Sequence, residues 1–153
     1  MVVYERRKIF DLFRRSFFVM NTKTLADQVV YCLSNHPSLK VTLGSLVFVR
    51  GSDLNTLKEN LQEKHGETVI DHAGVYIIGS DDDILRIGEG GKGGTMGHRV
   101  FQHIRTKDWM IKAKEVVFIP IVPPEFSRLA EQTAFAIYFQ KYEKLPQYNL
   151  DWR

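Results

Sequence analysis

Tyr76, Arg86, Arg99, His103, Glu131 and Asn149 occur in an order that suits cleavage of a phosphodiester bond. That reaction needs a water deprotonated, negative charge on the phosphoryl oxygens neutralised and the reacting group held in line. A divalent metal commonly assists the leaving oxygen. Tyr76 offers a phenol whose free pKa is ~10, so it acts as a base only where positive charge nearby lowers that value. Arg86 and Arg99 are the candidates for that charge. Arg99 and His103 lie four apart, on one face of a helix. The first is a permanent fork of donors and the second exchanges a proton near neutrality. Glu131 stands among Leu129, Ala130, Ala134 and Phe135, where a carboxylate aimed into a crowded site suits a hard cation such as Mg2+ or Mn2+. Singly, each has an ordinary reading: a packed strand tyrosine, a solvated helix face, a glutamate at the water boundary, an asparagine in a turn. Their order is what points to a site.

The elements that position these groups follow from apolar periodicity. Ile9, Leu12, Phe13 and Phe17 recur at helical spacing in an amphipathic stretch over residues 1–20. Leu25, Val29, Val30 and Leu33 do so after a cap at Asn21 or Thr22. Residues 43–49 read as a strand, and Ser52 or Asp53 caps a helix running to about Lys64 with Leu54, Leu57 and Leu61 on its apolar edge. From residue 73 the pattern changes. Gly74–Gly79 is a strand, residues 80–83 a polar turn and 84–88 a second strand, which together predict a hairpin. A helix over 96–107 carries Val100, Phe101 and Ile104. Glu115–Val122 is a third strand, with Pro120, Pro123 and Pro124 as its terminators, and 125–142 is a long helix. The expected fold is α+β: a small, antiparallel-rich, three-stranded sheet flanked by helices. Residues 1–70 form a helix-rich segment for substrate grip or an oligomer surface, and 71–153 carry the site.

The bulk numbers are those of an ordinary globular chain: 153 residues, 44% apolar and 25% charged. A net charge of +3 permits a polyanionic partner without requiring one. The lone Cys32 excludes an intrachain disulfide framework and argues against a thiolate zinc site. It suits a reducing compartment, so an intracellular, cytoplasmic setting is expected, with the nucleus as alternative. No apolar run approaches the ~20 residues that span a bilayer, so no membrane partner is expected. Arg6, Arg7, Lys8, Arg14 and Arg15 form one basic group. Lys92, Arg105, Lys107, Lys112 and Lys114 form another, which reads as a phosphate track. Trp109, among the latter, either stacks on a base or packs in the core, and core is preferred.

Residues 74–149, about half the chain, resemble the catalytic domain of the GIY-YIG nucleases. Gly74-Val75-Tyr76 resembles the first motif, and Arg86-Ile87-Gly88 the second. Arg99, with His103 one turn later, resembles the family's arginine and histidine, and Glu131 its metal-binding glutamate. Leu145-Pro146-Gln147-Tyr148-Asn149 resembles its closing segment. The resemblance implies that Tyr76 is the base or water-orienting group, Arg99 steadies the transition state and His103 assists proton transfer. Glu131 would bind one divalent metal, and Asn149 would support the site. It also implies a metal-dependent endonuclease acting on nucleic acid, DNA foremost, with a homodimer or larger assembly where both strands of a duplex are cut. Three features depart from the pattern: Arg86 replaces the tyrosine of the second motif, Glu89 replaces a frequent lysine, and the linker 88–97 is long and glycine-rich. The alternative is a module that keeps the fold, has weakened chemistry, and binds nucleic acid or protein. The linker also matches G-x-G-x-x-G over residues 88–93, the pattern of a dinucleotide site, but a preceding hairpin does not make the βαβ unit such a site needs. A Lys92-bearing flap over a groove or a plain surface loop is expected there instead.

Overall fold

The computed structural model describes residues 20–35, 46–64, 70–91 and 94–149, and the backbone of Thr42 and Leu43. The expected N-terminal helix with its basic group, and Lys92, lie outside the described residues.

Among the described residues there are four α-helices, three of them with a side-chain cap at the N-terminus. Helix α1 (Thr22–Ser34) starts at Asn21, whose side chain accepts the Thr24 N–H at 2.8 Å. Helix α2 (Leu54–Lys64) follows Asp53, whose carboxylate accepts the Thr56 N–H at 2.8 Å. Helix α3 (Met96–Thr106) starts at Thr95, which caps His98. Helix α4 (Ser127–Tyr142) ends at Glu143, in the left-handed region with φ 56°.

The strands are β1 (Thr42–Leu43), β2 (Val47–Arg50), β3 (Gly74–Gly79), β4 (Ile84–Gly90) and β5 (Glu115–Val122). All pairings are antiparallel. β5 is central, with β3 along one edge and β4 beyond it, while β1 and β2 line the other edge. The expected three-stranded sheet is thus corrected: a further edge row, made of β1 and β2, joins it. Its partner lies far along the chain (Val49 faces Val116), which local periodicity does not report. The row also brings residues from before position 70 into the same sheet as those after it.

Pro120 does not end β5 but sits inside it, opposite Gly74. Ile121 donates its N–H to Ala73 at 3.0 Å, on the β3 side. Pro120, one step back, therefore turns its missing donor toward the opposite edge. There the row slips: Leu43 faces Ile121 but Val47 faces Phe118, four residues against three. A proline is tolerated in a central strand where the ladder is already interrupted.

Helices cover both faces of the sheet. On one, Leu25, Val29, Leu33, Ala130, Ala134 and Ile137 pack on Val75, Ile77, Ile87 and Ile119. On the other, Leu57, Leu61, Met96 and Val100 pack on Tyr76, Ile78, Val116 and Phe118. β5, buried between the layers, is accordingly an almost unbroken apolar run.

Candidate functional site

The β3–β4 hairpin sets the floor of the site. Tyr76 faces Gly88, Ile77 faces Ile87 and Ile78 faces Arg86, but Gly79 faces Ile84. Leu85 is thus an extra residue, a β-bulge. It reverses the side-chain alternation, so that Arg86 falls on the α3 side with Tyr76 instead of on the side of Ile84. Gly88 is required by its partner: a Cβ there would lie 2.3 Å from the Tyr76 hydroxyl and ring. The bare backbone of β4 leaves room for the phenol.

Helix α3 delivers His103 to the far end of that phenol. The Tyr76 hydroxyl is 2.8 Å from His103 Nε2. When that nitrogen is unprotonated, Tyr76 donates to it. His103 in turn lies against Trp109, ring centroids 5.8 Å apart, and Trp109 stacks on Tyr148 at 4.8 Å and 7°. Trp109 is half-buried against the core, as the packing alternative anticipates.

The segment that carries Tyr148 and Asn149 clips onto β4. Tyr148 donates its N–H to Leu85 at 3.1 Å. Asn149, fully buried, accepts the Ile87 N–H at 2.9 Å and donates to the Ile87 carbonyl at 2.8 Å. Arg86 Nη1 donates to the Tyr148 carbonyl at 2.6 Å. The clip satisfies the outer edge of β4 as far as Ile87. Beyond it, at Gly88 and Glu89, lies a cleft of about 350 Å³.

Because β4 is the edge strand, helices from opposite faces of the sheet meet around it. Tyr76, Arg86, Arg99, Gln102 and His103 line the cleft from the α3 side, and Glu89, Arg128 and Glu131 from the α4 side. Five of the six residues singled out as catalytic thus share one cavity. Asn149 does not line it, but holds the strand between Arg86 and Gly88. Arg128 and Gln102 carry no motif. Their signal is spacing alone, each one helical turn from a cleft residue, Glu131 and Arg99 respectively.

Electrostatics correct one expectation. The Tyr76 pKa is raised, because burial of the phenol outweighs the lowering by Arg86 and Arg99, and Glu131 raises it further. Tyr76 is therefore a neutral hydroxyl at ordinary pH, not a preformed phenolate. Arg99 Nε is buried without a hydrogen-bond partner among the described residues, which leaves a donor for an anion entering the cleft.

The expected phosphate track is divided. Arg105 and Lys107 are exposed near the end of α3. Lys112 donates to the Tyr148 hydroxyl at 2.8 Å and sits over its ring. Lys114 donates to the Ser52 carbonyl, tying β5 to the turn before α2. A buried acid outside the cleft, Glu115, is held by Thr22 at 2.6 Å and Arg50 at 3.5 Å.

Among the described residues no three His, Cys, Asp or Glu side chains cluster as a metal cage. Glu131, only 6% exposed and lining the cleft, is a hard oxygen donor. Mg2+ is commonly held by one or two carboxylates plus waters and substrate phosphate. Glu131 is the residue that would hold a metal of that kind, together with a substrate phosphate attracted by the three guanidiniums of the cleft. Comparison of the chain with family models, with curated proteins and with solved structures finds no match.

Proposed function

We propose that this cleft is the active site of a metal-dependent endonuclease that hydrolyses phosphodiester bonds in nucleic acid, DNA foremost, with the GIY-YIG type of fold. The observation that supports it most is the sharing of one cleft by Tyr76, Arg86, Arg99, His103 and Glu131, which come from four separate elements. A neutral Tyr76 still moves a proton. Water gives its proton to the phenol oxygen while the phenol proton passes to His103 Nε2. The hydroxide oxygen bonds phosphorus, and the bond to the leaving oxygen breaks with its electron pair, which solvent protonates. Arg86 and Arg99 hold the phosphoryl oxygens as charge builds on them. A divalent ion on Glu131 would supply Lewis-acid stabilisation of the phosphoryl group. Asn149 keeps β4, and with it Arg86, in place. Cleavage of both strands of a duplex would use two copies of the chain.

Incubation with plasmid, single-stranded DNA and structured RNA, with Mg2+ or Mn2+ and with chelator, tests this. Cutting is expected only with metal, and Glu131→Ala is expected to abolish it while the circular dichroism spectrum persists. Undiminished cutting by that variant refutes the assignment. Two observations favour the second reading, a binding module without chemistry: the raised Tyr76 pKa, and an Arg86 tied to the Tyr148 carbonyl. Retardation of DNA with no nicking in either metal would select it.

A further inference from the structure

Arg128 plays no part in the scheme above, yet it lines the cleft on the opposite side of the β4 edge from Arg99. It lies three residues before Glu131, on the same face of α4. It is exposed at the cleft, and neither it nor Arg99 has an ion-pair partner among the described residues. Arg99 additionally keeps a buried Nε without a hydrogen bond among the described residues. Two guanidiniums on two helices, on either side of the β4 edge in one open cleft that Glu89 and Glu131 also line, form an arrangement for an extended polyanion. A nucleic-acid strand carries successive phosphates and occupies both.

Resting on the phosphodiester reading, we propose that one strand crosses the open edge of β4 at Gly88, with its reacting phosphate on Arg99 and the adjoining phosphate on Arg128. Arg128 is then a substrate-positioning residue whose contribution is to grip the strand beside the bond that is cut. The crossing is open because the clip at Tyr148 and Asn149 ends at Ile87 and leaves that part of the edge uncovered.

Binding measured without turnover separates this from the chemistry. Fluorescence anisotropy of a labelled single-stranded oligonucleotide is recorded in chelator over a series of salt concentrations, for the unaltered protein, Arg128→Gln and Arg128→Lys. A phosphate contact on a single strand contributes about 0.7 to the slope of log affinity against log salt. Arg128→Gln is expected to bind several-fold more weakly at low salt and to lower that slope by about 0.7, while Arg128→Lys keeps the slope. Equal slopes for Arg128→Gln and the unaltered protein overturn the two-phosphate grip and leave the nuclease assignment standing. Failure of the unaltered protein to bind any strand overturns both. The thermal midpoint of Arg128→Gln, an exposed substitution, is expected to match the unaltered protein and shows that any loss is not unfolding.

Discussion

The hydroxyl of Tyr76, on β3, lies 2.8 Å from Nε2 of His103, on α3, and joins a buried phenol to a ring that reaches the cleft. Burial keeps the phenol protonated, so in the proposed hydrolysis the pair would serve as a relay with the imidazole as acceptor. Tyr76→Phe keeps the ring in the core and deletes the relay. Cutting in a plasmid assay is expected to fall by roughly 10²- to 10⁴-fold, the usual share of general acid–base catalysis, with the thermal midpoint little changed. Undiminished cutting would remove Tyr76 from the chemistry.

Gly88 and Tyr76 are coupled by space. Gly88→Ala would put a methyl group 2.3 Å from the phenol, and the ring must shift away from His103. Overpacking of this kind costs about 1–3 kcal/mol. Urea denaturation is expected to show that loss, and the cleavage rate is expected to fall at least as far as in Tyr76→Phe.

Asn149 holds β4 by two hydrogen bonds to the Ile87 backbone. Asn149→Ala leaves a buried N–H and a buried carbonyl without partners, at about 1–3 kcal/mol for each unsatisfied group. A lower urea midpoint is expected, together with reduced cutting, because Arg86 rests on the adjoining Tyr148 carbonyl. A variant that loses stability but cuts at the normal rate would show the clip to be structural only.

Two buried phenols predict an alkaline limit. Burial raises the Tyr76 pKa, and burial, with Tyr142 and Asp83 adding to it, pushes Tyr138 up to about 12. In the unfolded chain both ionise at ~10. A folded value above the unfolded one gives stability that is whole below about pH 10 and is lost as pH rises through the folded value. The denaturation midpoint is therefore expected to fall between about pH 10 and 12. Tyrosinate absorbance should rise late for these two residues, and Tyr138→Phe should flatten part of the decline. A midpoint constant to pH 12 would contradict the burial of both phenols.

Much of the local structure is legible in the chain. The apolar spacing of Leu25, Val29 and Leu33, the caps at Asn21 and Asp53, and the turn between Gly79 and Ile84 all act within one or two helical turns or a single hairpin, so neighbouring residues suffice to reveal them. Tyr76, Arg86, Arg99, His103 and Glu131 are recognisable by type and order as a candidate set. Four things depend on how the strands register and the helices pack. The edge row of β1 and β2 exists only through β5. The bulge at Leu85 turns Arg86 toward Tyr76. The clip of Asn149 on Ile87 closes one part of an edge and leaves the next part open. Arg128 enters the cleft because α4 packs on the opposite face from α3. The Tyr76 pKa belongs with these: the nearby arginines suggest a lowered value, but desolvation scales with burial, and burial is set by the packed layers and not by neighbours along the chain.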